Sequence, residues 1–265
     1  MKHKIVIATF YKFVTLNDCE TLQKQLHTLC TEQGVFGTIL LAEEGINSTI
    51  AGTRSGMDAI LNFLRADSRF SDLVVKESFT DSIPFKRVKV KIKPEIVTFR
   101  ASADPNQQVG TYVEPDNWNE LIADPDVIVI DTRNHFEVEV GTFQRAISPR
   151  TDSFTEFSKF VGENLDTKEN KKIAMFCTGG IRCEKATSYM IEQGFEDVYH
   201  LKGGILRYLE MIDPEQSLWE GECFVFDERV SVNHHLEPGK AEFCKTCKTL
   251  LIDGTQPCSE CGTQN

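Results

Sequence analysis

Nowhere does the chain hold an apolar stretch approaching the roughly 20 residues that a membrane-spanning helix needs, so no membrane association is expected. The opening residues Met1-Lys2-His3-Lys4-Ile5-Val6-Ile7 carry too short an apolar run for a secretory leader, and the expected location is cytoplasmic. There is no nicotinamide or flavin fingerprint, hence no expected nucleotide cofactor, and neither an internal repeat nor a low-complexity tract. Nine cysteines, an odd number without a leader, argue against a secreted disulfide framework. Positive charge is scarce: 29 Lys+Arg face 40 Asp+Glu, a net charge of −11 that taken alone disfavours nucleic acid. The deficit is uneven, however. Residues 1–104 hold 14 basic and 12 acidic side chains, whereas the remainder holds 15 and 28, so a polyanion would meet the N-terminal third first.

What the chain does contain is ordinary globular composition, with 40% hydrophobic and 26% charged residues. Residues 4–14, 35–42 and 46–51 read as strands, the last two joined by a turn at Glu44-Gly45. Asn17-Asp18 is placed to cap a helix to about Glu32, with Leu22, Leu26 and Leu29 on one face and Gly34 ending it. A second helix over 55–66 turns Met57, Ile60, Leu61 and Leu64 inward, and strands follow near 73–79 and 87–99. This β-α-β-β-α-β order is the ferredoxin-like plan, giving an α+β N-terminal domain over 1–104. The small, polar stretch 101–109 reads as a linker. Beyond it strands and helices alternate: strand 127–131, helix 153–163, strand 172–177, helix 183–193 and strand 197–201 running into Lys202-Gly203-Gly204. The continuous apolar run Val127-Ile128-Val129-Ile130 suits a strand buried on both faces of a parallel sheet. The expectation is an α/β fold class: a parallel-sheet domain over 105–215, then an extension over 216–265 with one more strand near 223–232.

The chemistry concentrates in Cys177-Thr178-Gly179-Gly180-Ile181-Arg182-Cys183, set between a buried strand and a helix. Gly179 and Gly180 let the backbone wrap the sulfur with its N–H groups inward. The following helix presents its positive end, and Arg182 adds a permanent cation. All three favour the thiolate that a nucleophilic cysteine needs. A bland alternative, a glycine-bearing turn holding a structural cysteine, does not explain the arginine. Cys183 reads first as a helix N-terminal residue and second as a resolving thiol.

Cys-x-x-Gly-x-Arg at such a turn resembles the rhodanese active-site loop, and the resemblance extends over about 115–210. Asp131-Thr132-Arg133 with Glu137 and Gly141 looks like the family's first conserved strand end, and 194–204 like its closing strand and Gly-Gly turn. Cysteine phosphatases place the arginine six positions after the cysteine. Here it is five, the tighter ring that suits a persulfide sulfur. The chain differs from many rhodaneses at Gly141-Thr142-Phe143, where a histidine often follows the glycine.

Two further features complete the reading. Cys244-x2-Cys247 and Cys258-x2-Cys261 have the spacing of a four-thiolate structural zinc site, with disulfide pairing as the alternative. In a strand, Arg87, Lys89, Lys91 and Lys93 share one face opposite Val88, Val90 and Ile92. That face suits a phosphate backbone, or equally a lysine-protected sheet edge.

Together with the segments 45–52, 84–99 and 224–230, these features resemble the YceA-like family of tRNA uridine hydroxylases. The resemblance implies a ferredoxin-like domain, a central rhodanese domain and a small C-terminal zinc-binding tail. It implies oxygen-dependent conversion of wobble uridine to 5-hydroxyuridine, with tRNA as partner and molecular oxygen as co-substrate. Cys177 and Arg182 would then carry the chemistry, Thr178, Gly179, Gly180 and Ile181 would form the loop, and Asp131, Arg133 and Glu137 would support it. Arg87, Lys89, Lys91 and Lys93 would hold tRNA, and Cys244, Cys247, Cys258 and Cys261 the metal. Rival readings are a sulfurtransferase carrying a Cys177 persulfide and a non-catalytic tRNA- or protein-binding module. Nothing in the sequence bears on oligomeric state.

Overall fold

The computed structural model describes residues 5–227, 229–254 and 257–263; Lys4, where the first strand was expected to begin, and Glu228 lie outside them. The chain divides into two compact units between Thr98 and Phe99. The divide precedes the expected linker because Phe99 is fully buried in the second unit, stacked at 4.8 Å on Phe154 and edge-on to Tyr189.

In the first unit, β1 (Ile5–Phe13), α1 (Cys19–Glu32), β2 (Phe36–Ala42), β3 (Gly45–Gly52), α2 (Arg54–Arg65), β4 (Lys76–Thr80) and β5 (Val88–Ile92) follow in order. The sheet order is β4-β1-β3-β2-β5, the ferredoxin-like antiparallel set with β5 added parallel to β2. Leu22, Leu26 and Cys30 of α1 and Met57, Ile60, Leu61 and Leu64 of α2 are buried with Val6, Ala8 and Phe10 of β1 in a single core, as the helical spacing requires. Thr53 caps α2 by accepting from the Gly56 N–H at 3.2 Å. The cap expected for α1 does not form. Asp18 turns its carboxylate to Arg69 instead, at 2.5 and 3.0 Å, because a two-point ion pair is available there. The strand expected over 87–99 stops at Ile92, before Pro94, which has no N–H to continue the ladder.

In the second unit, β6 (Thr111–Val113), α3 (Pro115–Ala123), β7 (Val127–Asp131), α4 (His135–Val138), β8 (Gly141–Phe143), α5 (Phe157–Asn164), β9 (Lys172–Phe176), α6 (Ile181–Glu192), β10 (Asp197–Leu201) and α7 (Gly204–Met211) succeed one another. The parallel sheet runs β6-β10-β9-β7, covered by helices on both faces. Its core joins Trp118, Phe143, Phe176 and Tyr208, with Trp219 from the C-terminal extension packed among them. That extension adds β11 (Trp219–Gly221), which pairs with β8, then the hairpins β12 (Cys223–Phe224) with β13 (Ser231–Val232) and β14 (Glu242–Phe243) with β15 (Leu250–Leu251). The single strand expected over 223–232 is therefore a hairpin. Asp227 and Arg229 pair within its turn at 2.6 Å, and Val230 takes φ +63° to bring the chain back.

Candidate active site

Cys177 leaves the C-terminal end of β9 and the loop closes onto the first turn of α6, the place where open α/β sheets gather their chemistry. Gly180 takes φ +104°, a conformation open to glycine, and aims its N–H at the Cys177 sulfur at 3.1 Å. Gly179 needs no such conformation, and a Cβ there would meet only open space. The loop is held from beneath by α7, whose Ile205 and Leu206 N–H groups donate to the carbonyls of Cys177 and Thr178 at 3.0 and 3.1 Å. Gly204 lies so close to this loop that a Cβ would sit 2.5 Å from the Cys177 carbonyl oxygen. The Gly-Gly turn legible in the sequence thus serves the Cys177 loop directly.

Around the loop stand two buried ion pairs. Arg182 donates both terminal nitrogens to Glu137, at 2.7 and 2.8 Å. Thr178 donates to the same carboxylate at 3.4 Å, and the Asn134 N–H at 3.0 Å. Arg133, wholly buried, grips Asp131 at 2.9 and 2.7 Å and reaches the carbonyls of Glu137 and Gly141. Thr142, standing where many rhodaneses have histidine, donates to Asp131 at 2.8 Å. Buried pairs of this kind repay their desolvation only when most donors and acceptors are met, as they are here.

Five cysteines lie outside the C-terminal box, and their environments separate them. Burial pushes Cys30 up to about 11 and Cys223 to about 12, which makes both inert thiols. Burial pushes Cys19 up as well. Cys177 goes the other way, down to about 5: burial opposes ionisation, but the Cys183 thiol, the Arg182 charge and the N–H groups of Cys183 and Gly180 outweigh it. Burial and the neighbouring thiolate push Cys183 well up, so it stays protonated and donates to Cys177. Sequence reasoning treated Cys183 as a helix terminus or resolving thiol and missed this role. The i+6 spacing, which returns it to the mouth of the same loop, was the available signal.

A lowered thiol contributes stability that is complete above its unfolded value and lost as pH falls through the folded one. Between about pH 9 and pH 5, therefore, the wild type is expected to lose stability relative to Cys177→Ser as the solution is acidified. Urea unfolding of both proteins across that range measures the difference; parallel curves would contradict an ionised Cys177.

The comparisons with known proteins bear on this geometry. Residues 5–96 match the UPF0176 acylphosphatase-like domain and residues 114–211 the rhodanese-like domain. A relative named tRNA uridine(34) hydroxylase, from Picosynechococcus sp., is 58% identical over 243 residues, covering 91% of this chain and 82% of its own. The chain belongs to the tRNA uridine hydroxylase family. Among solved structures, a rhodanese-like domain from Anabaena is 17% identical over 43% of this chain and 80% of its own, with a TM-score of 0.35. A rhodanese-related protein from Thermoplasma volcanium is 22% identical over 39% and 95%, with a TM-score of 0.31. Neither likeness bears on the reaction.

In this hydroxylase-family chain the extension packs two aromatic rings against arginines of the Cys177 surroundings. Trp219 lays its ring 5.2 Å from the Arg133 guanidinium, and the Phe226 ring lies 6.0 Å from that of Arg182. Neither aromatic was singled out as a site residue from sequence, because their proximity depends on β11 pairing with β8. Farther along, Cys244, Cys247, Cys258 and Cys261 bring their sulfurs within 4.8 Å of one another, with 3.6 Å between Cys244 and Cys261 and 3.5 Å between Cys247 and Cys258. Zinc–sulfur bonds of about 2.3 Å imply sulfur–sulfur edges of roughly 3.8 Å, so the cluster fits a four-coordinate ion. In the first unit, Lys91 is exposed and Lys89 half-buried on the edge strand β5, Arg87 and Lys93 are exposed just beyond its two ends, and none is drawn into an ion pair among the described residues. Their apolar partners are covered unevenly: Val90 is buried, but Ile92 is 41% exposed at the sheet edge. No helix among the described residues is long and apolar enough to cross a membrane.

Proposed function

We propose that the protein is a tRNA-modifying enzyme that uses molecular oxygen to convert wobble uridine to 5-hydroxyuridine, with Cys177 as its nucleophile. The observation that carries the reading is the conjunction of the Cys177 loop, whose Gly180 N–H points at the sulfur and whose Arg182 favours the thiolate, with close kinship to a tRNA uridine(34) hydroxylase. The thiolate adds to C6 of the uracil ring, which makes C5 electron-rich. C5 then takes one atom of O2, the other leaves as water with two electrons from a reductant, and loss of the C5 proton and of Cys177 restores the ring. Arg182 and the Gly180 and Cys183 N–H groups hold Cys177 ionised between turnovers. Glu137 positions Arg182, while the Asp131–Arg133 pair and the rest of the loop (Thr178, Gly179, Gly180, Ile181) fix its shape. The test is incubation with hypomodified tRNA in air, followed by nucleoside mass analysis. One added oxygen on uridine supports the reading, and sulfur gained from a supplied donor would replace it with persulfide transfer.

The basic strand is assigned to tRNA backbone contact, and the compartment to the cytoplasm. Reversing Lys91 and Lys93 to Glu is expected to weaken tRNA binding at low salt and to flatten its salt dependence by about one unit of slope per lost phosphate contact. A filter-binding series over salt concentration measures this; an unchanged slope would leave β5 as a protected edge.

The four-cysteine cluster is assigned to one structural zinc, since four thiolates leave no open position for catalysis. One equivalent of zinc per chain is expected by elemental analysis, and Cys258→Ser is expected to lose it. Metal-free protein as purified under reducing conditions would remove the assignment.

A further inference from the structure

The turn between β12 and β13 exposes an aromatic ring at a place where fold stability does not ask for one. Phe224 is buried, but Phe226 is 68% exposed. Singly scattered exposed aromatics need no explanation; this one is tied to the site. The Arg182 guanidinium, held by Glu137 through both terminal nitrogens, lies over the Phe226 ring at 6.0 Å from the centroid. Phe226 is also braced edge-on by Phe224 at 5.1 Å, which in turn meets Phe136 at 5.2 Å. The turn that carries it is strained: Val230 stands at φ +63°, a conformation that β-branched residues rarely adopt, and the Val225 N–H nonetheless closes on the Val230 carbonyl at 2.8 Å.

We infer that Phe226 is the stacking platform for the target base, receiving an unpaired pyrimidine on its open face while Arg182 supports the ring from the loop side. The inference rests on the proposed reaction and adds to it the residue that recognises the extruded base. Enzymes acting on a base in nucleic acid commonly hold it outside its stack against an aromatic or apolar side chain, and aromatic faces bind bases without needing any particular hydrogen bond. The platform would select a flat, unstacked base, leaving the choice among bases to other contacts.

Three measurements on the full chain decide it. Phe226→Ala is expected to lower kcat/KM for an anticodon stem-loop by about 5- to 150-fold, the range that loss of one base–aromatic stack produces, and Phe226→Trp to recover most of the loss. The ultraviolet titration of the Cys177 thiolate is expected to be the same in Phe226→Ala as in the wild type, which a merely structural role in the loop would not allow. A stem-loop carrying 5-iodouridine at the wobble position, irradiated in complex, is expected to crosslink to the peptide containing Phe226. Wild-type kinetics in Phe226→Ala, a shifted thiolate titration or a crosslink confined to other peptides would each overturn the platform. A wild-type protein that crosslinks at Phe226 but adds no oxygen would leave the platform standing and remove the proposed reaction.

Discussion

Replacing Cys177 by Ala is expected to abolish hydroxylation, a fall on the order of 10³-fold or more, while the protein stays folded and keeps its affinity for tRNA. The change removes one sulfur atom from a nearly inaccessible site and leaves the Gly180 and Cys183 N–H groups and the Cys183 thiol without their acceptor. The fold is therefore not at stake, but no other side chain can replace the nucleophile. Cys177→Ser makes the same point, since a hydroxyl of similar shape does not ionise in the neutral range. Cys183→Ala should behave differently. Cys177 then loses a donor, its thiolate becomes harder to form, and the pH profile of the reaction moves toward alkali with activity retained at higher pH. Comparing initial rates of 5-hydroxyuridine formation in the three variants across pH checks both statements. Full activity of Cys177→Ala would end the nucleophile assignment.

Glu137→Ala is expected to destabilise the second unit by about 3–5 kcal/mol, the cost of leaving a buried guanidinium without its partner. Glu137 has no exposed side-chain surface, and its two oxygens serve Arg182, Thr178 and the Asn134 N–H together. Its pKa is lowered: burial opposes the charged form, but Arg182 and then Arg133 prevail. The contribution is thus present above the ordinary carboxylate range and lost as pH falls through the depressed value, so Glu137→Gln should blunt acid unfolding at its most acidic end. The double variant Glu137→Leu/Arg182→Met is expected to recover part of the lost stability, because it leaves no unpaired charge, and to remain inactive. Urea unfolding at neutral and acidic pH separates these cases. A loss below about 1 kcal/mol in Glu137→Ala would show that solvent reaches Arg182 and that the pair is not structurally decisive.

Glu137 also shows why sequence reading stopped where it did. The rhodanese resemblance of Asp131-Thr132-Arg133 with Glu137 and Gly141 marked it as a supporting residue, but nothing in the sequence said that it grips Arg182, 45 positions away, with both oxygens. Phe226 lies farther outside the reach of pattern. Residues 223–232 read as one strand because Phe224, Val225, Phe226, Val230 and Val232 favour strands, yet the Asp227–Arg229 pair and the turn at Val230 make them a hairpin. Asp18 was a sound cap by local rule and was drawn off by Arg69, 51 residues distant.

What the sequence by itself determined is whatever depends on short-range periodicity and fixed chemistry. The alternating and 3.6-residue patterns specified the βαββαβ unit, because a one-sided apolar face can be buried in only one way. The run from Cys177 to Arg182 specified an anion-stabilising turn, and the paired Cys-x2-Cys knuckles specified four converging thiolates. Tertiary structure alone decided the state of those groups. Only the packed molecule buries Glu137 against Arg182, returns Cys183 to the sulfur of Cys177, seats Gly204 under the loop and brings the C-terminal hairpin to the edge of the site. Each of these depends on contacts between residues far apart along the chain or on the exclusion of water, and a pKa or an ion-pair strength is a property of that environment rather than of the residue.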